Sequence, residues 1–267
     1  MKQLQDKVVA IFAANGAIAQ QVAMSMASEG AKVYVSGRNL AATENLAHQI
    51  KEAGGWAEAH QVDALSEAEI DAFLTNVIRE NARLDVVFNG IGIRALEGAY
   101  GQPSVQLSFD NFLKPITHHL GSQFLTSRIA ARHMMASQSQ GTILTLTASL
   151  SRIKTPFMAG ITAACSGIEG LTRSLAAEYG RAGIKVICLN PTALPETRTI
   201  RETNAANAQT AGIPADQFAE MLKQGFLLGR GPSVRDIGQL AAFLATDTGA
   251  LFNSHIVDAD CGTMNVI

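Results

Sequence analysis

A chain of 267 residues, 47% of them hydrophobic, is long enough to bury a large α/β core as one domain. Its 21 basic and 23 acidic residues are interspersed and leave a formal charge of −2, which excludes the footprint of a nucleic-acid or anionic-membrane binder and points to a small-molecule substrate or ligand. No apolar run approaches the roughly 18 residues of a membrane helix, no secretory leader pattern opens the chain, and Cys165, Cys188 and Cys261 lie far apart; a cytoplasmic protein without disulfide framework or metal site is expected.

Short β-rich runs alternate with helical stretches from the start. Residues 8–12 (VVAIF) read as a strand, 17–29 as a helix, 32–36 (KVYVS) as a strand and 40–53 as a helix. Residues 56–60, 67–81 and 84–88 continue the plan as strand, helix and strand. A long helical region ends near Ser137, followed by the strand TILTLT (142–147), a helix over 157–179 and the strand KVICL (185–189). Residues 192–225 are polar, alanine-rich and punctuated by glycine and proline, so a mobile substrate loop with short helices is predicted there; a helix over 234–245 and the strand HIVDA (255–259) close the chain. No linker, repeat or low-complexity tract interrupts it. The pattern predicts a doubly wound parallel sheet, a Rossmann fold over 1–267 with helices on both faces and ligands beyond the carboxyl ends of the strands.

After the first strand comes FAANGAIA (12–19), where dinucleotide-binding folds bring backbone amides to a pyrophosphate at a helix N-terminus. With SMASEGAKVYVSGRN (25–39), VDA (62–64), LDVVFNGIG (84–92) and the closing segment 229–262, it makes the chain resemble the short-chain dehydrogenase/reductase (SDR) family over nearly its whole length. The family fingerprint T-G-x-x-x-G-x-G falls on 12–19, and its three glycine positions carry Ala13, Ala17 and Ala19. Asn15 and Gly16, both tolerant of left-handed backbone, are expected to take over the tight turn. The resemblance implies a dinucleotide held by Ala13, Asn15, Gly16, Ile18, Arg38, Asp63, Asn89 and Gly90. Arg38, at the end of the second strand where an acidic residue would read a ribose hydroxyl, favours the 2′-phosphate of NADP(H). Plainer structural roles stand beside these: a surface charge for Arg38, a helix cap for Asp63, a strand-end turn for Asn89.

The family's proton transfer uses a Tyr-x-x-x-Lys pair, in which i, i+4 spacing sets an ammonium beside a phenol. The matching segment 160–178 places Ile161 at the tyrosine and Cys165 at the lysine. The family serine falls at Ala148, with Thr147 before it and Ser149 after it, and the family asparagine falls near His118, with two extra residues around Pro115. His118 is therefore the candidate acid, with Ser149 or Thr147 as hydrogen-bond donor, and Cys165 is either a thiol nucleophile or an inert helix residue. Ile161 and Cys165 share a helical face and are expected to line an apolar pocket opposite residues 147–149. Two readings follow: an atypical NADP(H)-dependent oxidoreductase acting on a small carbonyl or activated alkene, or a catalytically silent ligand-binding or assembly protein on the same scaffold. The resemblance also implies a homo-oligomer, dimer or tetramer, paired through the two long helices, with Ala163, Ala164 and Gly167 as close-contact residues.

Overall fold

A computed structural model describes residues 2–263 apart from 93, 95, 96 and 99, with the backbone alone at 206, 207, 210, 211 and 222. In chain order the elements are β1 (Val8–Phe12), α1 (Ala17–Ser28), β2 (Lys32–Gly37), α2 (Leu40–Glu52), β3 (Trp56–Gln61), α3 (Glu67–Asn81) and β4 (Val86–Asn89). There follow α4 (Phe109–Pro115), α5 (Gly121–Ala136), β5 (Gly141–Leu146), α6 (Ala159–Tyr179), β6 (Ile184–Pro191), α7 (Arg198–Ala211), α8 (Ala215–Gln224), α9 (Val234–Ala245) and β7 (Ile256–Ala259). The strands form one parallel sheet in the order β3-β2-β1-β4-β5-β6-β7. Strand order reverses at β1 and β4, and the crevice beyond their carboxyl ends is the natural ligand position.

Alternation along the strands divides the core in two. Val9 and Ile11 point to α1, α2 and α9, where Val22, Leu46 and Ala241 are buried; Val8, Ala10 and Phe12 point to α3, α5 and α6, where Ile70, Ile129 and Leu175 are buried. Both faces are covered, which is why the strands read as near-continuous apolar runs.

The long helical region expected before residue 137 is present as α4, a π-helical turn over Ile116–Leu120, and α5. Pro115 lacks the N–H that a regular α-helix needs, and the wider turn absorbs the extra length. Residues 192–225, read as a loop with short helices, are mostly helical: α7 has 14 residues, starts on the Thr197 hydroxyl and stops at left-handed Gly212, and α8 has 10. The segment is tied down by buried Leu194, by the Glu196 carboxylate accepting from the Val234 N–H at 2.7 Å, and by Glu202 on α7, which pairs with Arg94 of the β4–α4 loop at 3.1 Å. Among the described residues no helix is long and apolar enough to cross a membrane.

Candidate active site

The cradle after β1 keeps its tight turn, but not where Asn15 and Gly16 would put it. The left-handed residue is Ala13 itself, at φ 53°, while Gly16 is extended at φ −78°. The Ala13 carbonyl accepts from Gly16 N–H at 3.1 Å, and Ala14 N–H donates to the Ser36 carbonyl of β2 at 2.8 Å. No side chain caps α1 and no acid lies in its first turn, so the opening amides, among them that of Ile18, face the crevice without a competing carboxylate. Ala19, at the third fingerprint position, is fully buried, and the close approach of helix and strand is preserved by Gly90, where an added Cβ would lie 2.6 Å from that of Ala19.

The Asn15 amide reaches across to the Asn39 carbonyl at 3.2 Å and packs over Gly37, where an added Cβ would be 2.9 Å away. Its side-chain oxygen Oδ1 is buried without a hydrogen-bond partner among the described residues. Arg38 is exposed and makes no ion pair among the described residues. Asp63 does not cap α3, whose N-cap is Ser66; it builds the preceding turn by accepting from Leu65 N–H at 3.0 Å. Asn89 is buried with both ends engaged, donating to Thr126 Oγ1 at 3.0 Å and accepting from Ile91 N–H at 2.8 Å. A retained turn and an uncapped helix start fit the pyrophosphate of a nicotinamide dinucleotide.

Beyond β5 the chain brings Ala148, Ile161 and Cys165 together. Met158, Ile161 and Cys165 form one buried cluster, closed by Ala148, Leu150 and Tyr100, the last carried in by the β4–α4 loop. The Gly101 N–H donates to the Phe157 carbonyl at 3.0 Å and holds that loop to the start of α6. Instead of an open apolar pocket, the crevice between Tyr100 and Ile161 leaves no room for a water molecule. Burial pushes both the Cys165 thiol and the Tyr100 phenol up from their ordinary values, so neither is an anion at neutral pH. The Thr147 hydroxyl is spent on the Cys165 carbonyl at 3.0 Å, whereas the hydroxyl of half-buried Ser149 has no hydrogen-bond partner among the described residues.

His118 does not join this cluster: the π-helical turn leaves it exposed and turns His119 inward. His119 Nδ1 lies 2.7 Å from the Ile91 carbonyl. A carbonyl only accepts, so Nδ1 carries a hydrogen; burial, opposed by that bond, lowers the pKa to about 4 and so keeps the ring neutral at pH 7. Proline beside an adjacent histidine pair was the one available sign that the facing could shift.

A family model described as Enoyl-(Acyl carrier protein) reductase matches residues 12–264. The chain belongs to the short-chain dehydrogenase/reductase family. Among SDR relatives it is 29% identical to "Uncharacterized oxidoreductase YxbG" of Bacillus subtilis (strain 168), over 99% of this chain and 93% of that protein. It is 26% identical to a "Probable 2,4-dienoyl-CoA reductase" of the same organism, over 97% of each. An actinorhodin polyketide ketoreductase variant solved with NADPH shares the fold at a TM-score of 0.89, with 20% identity and all of both chains covered.

The small residues on the SDR helix α6 do not all face outward. Ala164 is fully buried and Gly167 packs on Leu120, where an added Cβ would be 2.7 Å from Cδ2; of the three only Ala163 is exposed. Tyr100 was missed altogether in the sequence, because nothing in the loop's pattern ties it to a helix 60 residues on.

Proposed function

We propose that this chain is an atypical SDR that takes NADP(H) and reduces an activated alkene, one conjugated to a carbonyl, in a small substrate. The observation that carries this reading is the apolar cluster of Ala148, Ile161 and Cys165, which puts no acidic phenol–ammonium pair where the substrate oxygen would lie. Bound NADPH supplies a hydride. Reduction of a ketone leaves the new charge on one alkoxide oxygen, which must be protonated as it forms, and loss of positioned proton transfer costs about 10²- to 10⁴-fold. Reduction of a conjugated alkene spreads the charge over an enolate, for which neutral hydrogen-bond donors suffice. Ser149, with its unengaged hydroxyl, is the donor on the β5 side; exposed His118 would serve only as a relay from solvent. The enoyl reductase description and the dienoyl-CoA reductase relative support the alkene reading.

In this reading Ala13, Asn15, Gly16 and Ile18 receive the pyrophosphate side of the cofactor, Arg38 its 2′-phosphate, and Asp63, Asn89 and Gly90 shape the wall. Residues 192–225 form the substrate cover within a single domain. Homo-oligomers form through the outer faces of α5 and α6, where Phe124 and Met135 are exposed.

Calorimetric titration tests the proposal. NADPH is expected to bind more tightly than NADH, and Arg38→Ala to remove the difference. NADPH oxidation is expected with an α,β-unsaturated acyl thioester and negligible with simple ketones or secondary alcohols. Because the crevice at Tyr100 is closed, a second reading stands: a silent binding or assembly protein. It gains if neither dinucleotide binds, and equal affinity for both would remove the role of Arg38.

A further inference from the structure

The family's serine position carries Ala148, and the hydroxyl beside it belongs to Ser149, the first residue of a short 3-10 turn over Ser149–Ser151. Its place is therefore set by that turn and not by the sheet. We propose that Arg152 is a positioning residue for Ser149: clamped between Glu169 on α6 and Asp258 on β7, it holds the turn still, and with it the hydroxyl that donates to the substrate's carbonyl oxygen. This inference rests on the reductase reading above.

The turn is closed by local bonds and fastened by two side chains. The Ser149 carbonyl accepts from the N–H groups of Arg152 at 2.8 Å and Ile153 at 3.1 Å, and the Ala148 carbonyl accepts from the Ser151 N–H and hydroxyl, both at 3.2 Å. On one side Leu150 packs on the cluster of Met158, Ile161 and Cys165. On the other, Arg152 Nε stands 3.1 Å from Glu169 Oε1 and 3.8 Å from Asp258 Oδ1. Both carboxylates are themselves fixed. Glu169 is buried on α6 with its other oxygen 3.7 Å from Arg173, and Asp258 accepts from the buried Asn190 amide of β6 at 2.6 Å. Glu169 Oε1 is buried and takes no hydrogen bond among the described residues, so the Arg152 charge is what balances it there. An ion pair with one buried partner is screened less than a pair on the open surface.

Leu150, Ser151 and Arg152 are all engaged, and the Ser149 hydroxyl between them is not. A donor to a developing enolate oxygen is effective when it is already in place as the charge appears, and a displacement of about 1 Å can cost on the order of 10²-fold in rate. A hydroxyl on a strand end would inherit that precision from the sheet, whereas one on a turn needs a second anchor. With its charge matched by two carboxylates, Arg152 acts through the turn and not on the reacting atoms.

A double-variant cycle tests this. With crotonyl-CoA and NADPH, Ser149→Ala is expected to lower kcat by about 100-fold and Arg152→Met by about 10-fold, with KM and NADPH affinity unchanged and part of the loss recovered in Arg152→Lys. Once Ser149 is alanine, Arg152→Met should lower kcat no further. Should Arg152→Met fail to fold for want of a partner to Glu169, Arg152→Met with Glu169→Gln removes both charges and carries the same expectation. A readout independent of turnover is hydrogen exchange at the Arg152 and Ile153 amides, both bonded to the Ser149 carbonyl, which should quicken by about tenfold in Arg152→Met. Unchanged exchange, or an equal loss of kcat with and without the Ser149 hydroxyl, overturns the positioning role while the reductase reading stands. A parent that binds NADPH yet reduces no unsaturated thioester overturns both.

Discussion

Replacing Ala13 by glycine is expected to stabilise the chain by about 0.5–1 kcal/mol. Ala13 sits at φ 53°, where an L-residue with a Cβ costs roughly 1–2 kcal/mol relative to right-handed backbone. Glycine removes that cost but loosens the unfolded chain, returning about 0.4–1 kcal/mol. In a domain of this size the net gain corresponds to a rise in Tm of about 1–4 °C. The third fingerprint alanine behaves oppositely. Ala19 is buried inside α1, so Ala19→Gly loses about 1 kcal/mol of helix propensity together with packed contacts. Gly90→Ala should also destabilise, because its Cβ would lie 2.6 Å from that of Ala19. Combining Ala19→Gly with Gly90→Ala returns the methyl to the other side of the same contact, and the double variant should be more stable than the sum of the singles. Urea unfolding at constant m reads all four variants. An Ala13→Gly variant no more stable than the parent would show that the turn carries no strain, and additive losses in the double variant would show that Ala19 and Gly90 do not share that space.

Two further predictions concern titration and the helical cover. His119 has a folded pKa of about 4 against an ordinary 6.5, so between those values the unfolded chain binds the extra proton and stability falls as pH drops, by roughly 3 kcal/mol once pH 4 is reached. Urea midpoints from pH 7.5 down to 4.5 should show this slope in the parent and lose much of it in His119→Asn; an unaltered slope would assign it elsewhere. Glu202 on α7 is held below the usual carboxylate range by Arg198 and then by Arg94, so Glu202→Gln should weaken the link between α7 and the β4–α4 loop. Trypsin cleavage after Arg198 and Arg201 should quicken with no change in melting temperature, and unchanged cleavage would mean that the pair does not restrain α7.

What the sequence disclosed, and what it withheld, follows the range of the forces involved. The strands and flanking helices are legible because their periodicity is local: Val8 to Phe12 alternates between the two cores, and Ser66 and Ser233 cap α3 and α9 through their own neighbours. The meeting of Ala148, Ile161 and Cys165 could also be anticipated, since i, i+4 spacing puts the latter two on one face and parallel order brings the β5 end beside them. Three features were not legible. Alanine has no preference for left-handed backbone, so the turn was expected at Asn15 and Gly16; tertiary closure of β1 onto β2 keeps it at Ala13. His118 was singled out by its match to the family's asparagine, whereas the π-helical turn after Pro115 exposes His118 and buries His119. Tyr100 lies in a loop without periodicity, and only the folded loop reveals its approach to α6. A site assembled from one regular helix can be read from spacing, but a group delivered to it by a neighbouring loop cannot. That asymmetry makes a search confined to α6 find Ile161 and Cys165 and miss the Tyr100 ring that packs against them.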